Sequence, residues 1–284
     1  MNSEPIRAVA DDEIEAFDRD GVVMLPGIFD DEWITLLRAG LARNLADPTR
    51  RSRTWDRDDA GRTMVYDSQA WQQIDKYRRF VFDSPAAAVA AALLRASVVN
   101  FFFDAVFVRS PGTQFTTPWH QDEPYWSVEG FNTCSIWMPL VPVAAEHALS
   151  FVPGSHRTDA VLDQYNFGRL NPDGEAADQV DFSAVAEDAF PDIDADPARW
   201  GVVSWTMQPG DCAAFNSRTM HGGSGKLPPD VGLEVFTTKW LGDDVTVKFR
   251  ECGMDPDHTE VMTAAGLRPG DRPDGDLYPR VWPR

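Results

Sequence analysis

Two stretches, VVNFFFDAVFVRS (residues 98–110) and NTCSIWMPLVPV (132–143), decide the fold. Both are short runs of Val, Ile, Phe and Trp, side chains that suit a pleated, half-buried surface. FTTPWHQDEP (115–124), HALSFVPGS (147–155), GVVSWTMQ (201–208), DCAAFNS (211–217) and GLEVFTTKWL (232–241) continue the texture, with Gly, Pro, Asn and Asp between them. Short strands at a spacing of about 8–12 residues, punctuated by turns, predict an antiparallel sandwich or barrel. Upstream the texture is helical. DDEIEAFD (11–18) carries Ile14 and Phe17 at helical spacing, and VVMLPG (22–27) reads as a short strand closed by a turn. DDEWITLLRAGLARNLAD (30–47) puts Trp33, Leu36, Leu37 and Leu41 on one helical face, with Asp30 or Asp31 as cap. Residues 68–94 read as two helices divided at Ser84-Pro85, while the Arg- and Asp-rich stretch 48–65 reads as an exposed loop. The expectation is a mainly β chain with packed helices, in one domain over 1–284. Its double-sheet jelly-roll core covers about 98–245, with α-helices within about 1–97 and an acidic insertion at about 157–200.

Charge narrows the function. With 45 acidic against 26 basic residues the net charge is −19, which repels phosphate backbones and anionic lipid and argues against nucleic-acid and membrane partners. No apolar run is long enough to span a bilayer. The first residues lack the basic start and apolar core of a secretory signal, and Cys134, Cys212 and Cys252 show no zinc or disulfide spacing. These features predict a reduced, cytoplasmic protein with a small-molecule substrate; they leave the oligomeric state open.

Five histidines are present, and two of them stand in suggestive company. His120 lies in Trp119-His120-Gln121-Asp122, where residues i and i+2 of a strand would share a face. His221, in Asn216-Ser217-Arg218-Thr219-Met220-His221, could be delivered to the same place by a late strand. Two imidazoles and one carboxylate on a single face of a metal leave open positions, the donor set of non-haem Fe(II) oxygenases. His-x-Asp alone is a weak signal, and a plain hydrogen-bonded pair explains it equally well.

The surrounding text is more specific. FDRDGVVMLPGIF, WHQDEPYW, SIWMPLVPV, ALSFVPGSH, PGDCAAFNSRTMHGGSG, KWLGDDV and RPGDRPDGDLYPRVWP occur in that order. This ordered set resembles the phytanoyl-CoA dioxygenase family, particularly its bacterial members, over essentially the whole chain. The resemblance implies a double-stranded β-helix (jelly roll, cupin-like), Fe(II), and 2-oxoglutarate consumed with O₂ to oxidise an unactivated C–H bond. It places His120, Asp122 and His221 on the iron ligands, Trp137 on a residue lining the 2-oxoglutarate pocket, and Thr117 on a small polar position beside the co-substrate. Trp119, Tyr125, Trp126, Phe103 and Arg109 are candidates for the substrate pocket. The acidic chain would serve the phosphates of a coenzyme A thioester poorly, and the Trp- and Phe-rich neighbourhood favours a compact, partly apolar metabolite.

One departure stands out. In the family an Arg near the start of the last long strand pairs with the far carboxylate of 2-oxoglutarate, and Leu233 occupies the matching position, with Glu234 adding a negative charge nearby. Loss of such a charge-assisted contact weakens binding about 10- to 150-fold. Lys239, Arg218, Lys226 and Arg109 are the candidate substitutes. An alternative stays open: a jelly-roll metalloenzyme that takes another 2-oxo acid or chelates its substrate directly. A non-catalytic binding protein is disfavoured because all three candidate ligands occur together. Of the other histidines, His156 reads as structural and His258 as solvated. Phe101 and Phe103 read as one strand face, and Cys134 and Cys212 as small buried residues.

Overall fold

The structure, a computed structural model, describes residues 1–55, 60–158, 191–223, 226–251 and 253–283. Helix α1 (Asp11–Asp20) opens with three acids, which favour its positive N-terminal end, and closes at Gly21 in the left-handed conformation. Strand β1 (Val22–Leu25) follows, and then α2 (Asp31–Ala46), whose cap Asp30 accepts a 2.9 Å hydrogen bond from the Trp33 backbone N–H. Helices α3 (Asp75–Asp83) and α4 (Ala86–Leu94) divide at Ser84-Pro85 as expected.

The stretch 48–65 is not simply an exposed loop. It holds β2 (Arg53–Trp55) and the start of β3 (Met64–Ser68), which pair with each other, and Arg53 is buried against Asp255. An ion pair to a residue far along the chain makes that burial tolerable, and nothing local announces it.

The remaining strands are β4 (Val99–Arg109), β5 (Thr117–His120), β6 (Val128–Glu129), β7 (Thr133–Pro139), β8 (Leu149–Phe151), β9 (Cys212–Phe215), β10 (His221–Gly223), β11 (Leu233–Leu241), β12 (Thr246–Val247) and β13 (Arg280–Trp282), with α5 (Thr259–Ala264) between the last two. All named pairings are antiparallel. The large sheet runs β1-β9-β7-β11-β4-β3-β2, with β13 also on β4; a second sheet is β5-β10-β8, and β12 pairs β6. The part before residue 98 is therefore not only helical, because three of its segments extend the large sheet. GVVSWTMQ makes only isolated bridges, Phe151 to Val203 and Val143 to Met207, rather than a strand.

Alternation separates the two faces of the large sheet. Phe236 and Trp240 of β11 pack outward in an apolar cluster with α2, α3 and α4, while Leu233 and Val235 face inward with Trp137, Phe151 and Phe215. Phe101 and Phe103 do not share a face. Between the pairs Lys239–Phe103 and Trp240–Phe101 the register shifts by one residue, so Phe101 joins the helix-side cluster and Phe103 the interior. Glu234 likewise points away from the interior and meets Arg38 at 3.4 Å, so it adds no charge to the cavity. Cys134 and Cys212 are buried free thiols, and Cys252 lies outside the described residues. Most of the expected insertion, 159–190, also lies outside them. Among the described residues no helix is long and apolar enough to cross a membrane.

Candidate metal and co-substrate site

His120 ends β5 and His221 begins β10, and the two are direct cross-strand partners. This close pairing requires Gly222: a Cβ there would lie 2.7 Å from Trp119 Cα and 2.8 Å from the Pro118 carbonyl oxygen. Asp122 reaches the same place differently from the i, i+2 alternation expected. The strand stops at His120, and Asp122 sits in helical conformation at the cap of a short 3₁₀ turn. Its N–H donates to the Ser217 carbonyl at 2.8 Å, so the turn preceding β10 redirects the chain and brings the carboxylate back under the imidazoles.

The three donor atoms lie within 4.8 Å of one another. Asp122 Oδ1 stands 3.7 Å from His120 Nε2 and 3.5 Å from His221 Nε2. Each of these separations is below two metal–ligand bonds of about 2.0–2.2 Å, as sharing one ion requires. The tautomers agree as well. His120 Nδ1 donates to the Pro118 carbonyl at 2.7 Å and His221 Nδ1 to the Thr219 carbonyl at 2.8 Å. A carbonyl can only accept, so both protons sit on Nδ1 and both Nε2 lone pairs face Asp122. Ser135 Oγ donates to Asp122 Oδ2 at 3.2 Å, which leaves Oδ1 as the inward oxygen. The residues present therefore fit a divalent metal.

Electrostatics agree for His120. Burial, with His221 adjacent, lowers the His120 pKa to about 3 and keeps the ring neutral. Burial pushes the Asp122 carboxyl up, but His221, Lys239 and His120 outweigh it and hold it well below the ordinary value. Lys239 is pulled down to about 8 by burial, against the support of Asp122, Asp104 and Asp255.

The other candidate residues scatter. Trp137 faces the interior opposite Thr237 and packs in the cluster that holds Leu233 and Val235. Tyr125 stands with its ring 6.1 Å from that of His120. Phe103 lies 5.1 Å from the Lys239 ammonium, and Trp126 packs behind it against Phe102. Arg109 is buried opposite Leu233, and its guanidinium donates to the Phe115 carbonyl. Thr117, half-buried, pairs with Gly223 at the other end of β5. Lys226 is exposed.

Two candidates turn away from the roles expected of them. Trp119 alternates to the face opposite His120, packs with Val152, Ile193 and Met220, and donates from Nε1 to Asp194 at 2.8 Å. Arg218 is committed to Glu123, at 2.5 and 3.1 Å, so it is not the cation for a bound acid. His258 is a further correction: it is fully buried, paired with the Tyr278 hydroxyl at 2.6 Å and with the Gln69 amide, because the C-terminal segment folds over it. His156 is structural as expected, buried near α1 with its ring 3.3 Å from the Asp18 carbonyl. Ser135 was missed, since a lone Ser in an apolar strand carries no signal until Asp122 is placed beside it.

Comparison with known proteins agrees with this geometry. Residues 17–227 match the family described as Phytanoyl-CoA dioxygenase (PhyH), a span that includes all three donors. The chain is 29% identical over 249 residues to the ectoine dioxygenase of Sphingopyxis alaskensis, covering 80% of this chain and 74% of that one. It is 25% identical over 275 residues to the ectoine dioxygenase of Bordetella parapertussis, covering 92% and 84%. Among solved structures, the non-haem 2-oxoglutarate-dependent carbocyclase SnoK from nogalamycin biosynthesis superposes with a TM-score of 0.73 at 20% identity, covering 99% of this chain and all of the other. EctD of S. alaskensis, solved with 2-oxoglutarate and 5-hydroxyectoine, gives 0.63 at 20% identity, covering 85% and 78%. With a family match over most of its length and a His-Asp-His cluster inside that match, the chain belongs to the phytanoyl-CoA dioxygenase family of non-haem Fe(II)- and 2-oxoglutarate-dependent oxygenases.

Proposed function

We propose that His120, Asp122 and His221 hold the Fe(II), and that the protein oxidises a C–H bond of a small, partly apolar metabolite, with 2-oxoglutarate and O₂ as co-substrates. The observation that carries the reading is the convergence of two Nε2 atoms and one Asp122 oxygen on a single point, each fixed from behind by its own hydrogen bond. A metal bound on one face through three protein donors keeps positions open for co-substrate and O₂. Fe(II) at such a face supplies the chemistry that couples oxidation of the C–H bond to conversion of 2-oxoglutarate and O₂ into succinate and CO₂.

The chain's own residues do the positioning. The Pro118 and Thr219 carbonyls orient the imidazoles, and Ser135 restrains the second Asp122 oxygen. Trp137 and Tyr125 wall the space beside the triad and exclude water. Tyr66 and Phe103 pack in one apolar cluster, and the Arg53–Asp255 pair sets a fixed polar edge against the Tyr66 ring. That lining suits a compact molecule with a few polar groups. The ectoine dioxygenases among its relatives make ectoine the first substrate to screen.

The test is an anaerobic titration of Fe(II)-loaded protein with 2-oxoglutarate, following the weak charge-transfer band of a chelated 2-oxo acid. A saturable band in the wild type, lost together with the iron in His120→Ala, is the expected result. Iron retained at full stoichiometry in that variant would overturn the ligand assignment.

A further inference from the structure

A bound 2-oxoglutarate is a dianion. One end serves the metal, and the other carboxylate must enter the interior of the jelly roll, where a charge without a partner is not tolerated. The cation that receives it must therefore be buried, face inward, and lie within reach of the triad.

Position 233 does not supply it. Leu233 and Val235 close their end of the interior with Trp137, Phe151 and Phe215. Arg53 is engaged by Asp255 and Arg218 by Glu123. Two other inward cations sit on the same strand pair, Arg109 opposite Leu233 and Lys239 opposite Phe103. On its other side Lys239 is the partner of Ser135, the residue whose hydroxyl bonds Asp122. Lys239 thus belongs to the row of residues that carries the metal site, and its charge is felt by both Asp122 and His120. It is 6% exposed, and its ammonium donates to the Thr237 hydroxyl and lies over the Phe103 ring. Among the described residues no carboxylate forms an ion pair with it. An ammonium has three N–H bonds, and only the one to Thr237 finds an acceptor among those residues.

Placement and existing engagement separate the two cations. The carboxyl carbons of an extended 2-oxoglutarate lie about 5 Å apart. Two residues along a strand cover about 7 Å, so the far carboxylate of an acid held beside Ser135 arrives near the Thr237–Trp137 row. The Lys239 ammonium already lies at that row, on the Thr237 hydroxyl, whereas the Arg109 guanidinium donates to the Phe115 carbonyl. We infer that Lys239, with the Thr237 hydroxyl beside it, anchors the far carboxylate of the 2-oxo-acid co-substrate, so that the anchor has moved along β11 from position 233. This rests on the triad being the iron site.

The experiment compares 2-oxoglutarate with 2-oxopentanoate, which has the same chain with a methyl group in place of the far carboxylate. Each is titrated anaerobically into Fe(II)-loaded wild type, Lys239→Met, Lys239→Arg and Arg109→Met, with the charge-transfer band as readout and iron content measured alongside. The wild type is expected to prefer 2-oxoglutarate by about 30-fold or more. Lys239→Met loses that preference while binding 2-oxopentanoate within threefold of wild type; Lys239→Arg restores part of it, and Arg109→Met leaves most of it in place. Replacing an unpaired buried ammonium by Met does not threaten the fold. Preference retained in Lys239→Met, or abolished in Arg109→Met alone, overturns the inference. A wild type that binds iron yet does not distinguish the two acids overturns the anchor and leaves the iron site standing. One that binds no iron overturns both.

Discussion

The two ends of the inner face of β11 are built on opposite principles. At the end near Asp122 the strand presents Thr237 and Lys239 toward Ser135, so hydroxyls, a carboxylate and an ammonium occupy one small volume. At the other end it presents Leu233 and Val235 to a sealed apolar cluster, with a buried arginine across the strand. The same alternation serves both ends, so the difference lies in side-chain chemistry and not in backbone. A strand can thus carry charge at one end and apolar packing at the other without altering its register.

The largest way to break the comparison is to put charge where the protein has none. Leu233→Arg places a guanidinium in the Trp137–Phe151–Phe215 cluster. It should cost about 3–5 kcal/mol without a partner, lowering Tm by roughly 10 °C in a thermal melt. Should the variant instead melt as wild type and bind 2-oxoglutarate at least tenfold tighter, the apolar end would be a latent anchor and the contrast would fail.

A second test uses the other face of the same strand pair. Asp104 is buried opposite Thr238 and accepts from the Trp71 N–H; burial, with Asp67 adding to it, raises its pKa from 3.8 to about 7. The folded protein keeps this proton while the unfolded chain releases it near pH 4. The stability it contributes is therefore complete below pH 4 and is lost as pH rises through 7. Asp104→Asn removes that dependence. Denaturant melts between pH 4 and 8 should show the wild-type advantage over the variant shrinking with pH, by up to about 4 kcal/mol. A constant difference would mean that Asp104 is ionised throughout.

The smallest effect sharpens the polar end. Ser135→Ala frees Asp122 Oδ2, and loss of such an orienting contact typically weakens metal binding 10- to 100-fold. Competition with a chelator measures it, and an unchanged iron affinity would show that the carboxylate is held by its backbone turn alone.

Much of this was legible in the residues themselves. Alternation and capping give the strands and helices, and the ordered motifs point to the three residues that the structure brings together. What escaped depends on contacts between distant segments. The bulge at Phe102 reverses a face without any sequence mark, and Asp122 owes its direction to the Ser217 carbonyl across the fold. His258 looked solvated because the partners that bury it, Gln69 and Tyr278, lie on other elements. Lys239 was visible as a cation, but only the register that pairs it with Ser135 places it beside the metal site.

The pairing of His120 with His221 has a further consequence for how the protein reaches its working state. The two strands come from segments about 100 residues apart, so the donor set depends on non-local pairing. An unfolded chain cannot assemble it, and iron therefore binds the finished topology in preference to the unfolded ensemble. Metal occupancy becomes a ratchet on closure: the ion that equips the protein for its chemistry also biases the chain against reopening at the seam between β5 and β10.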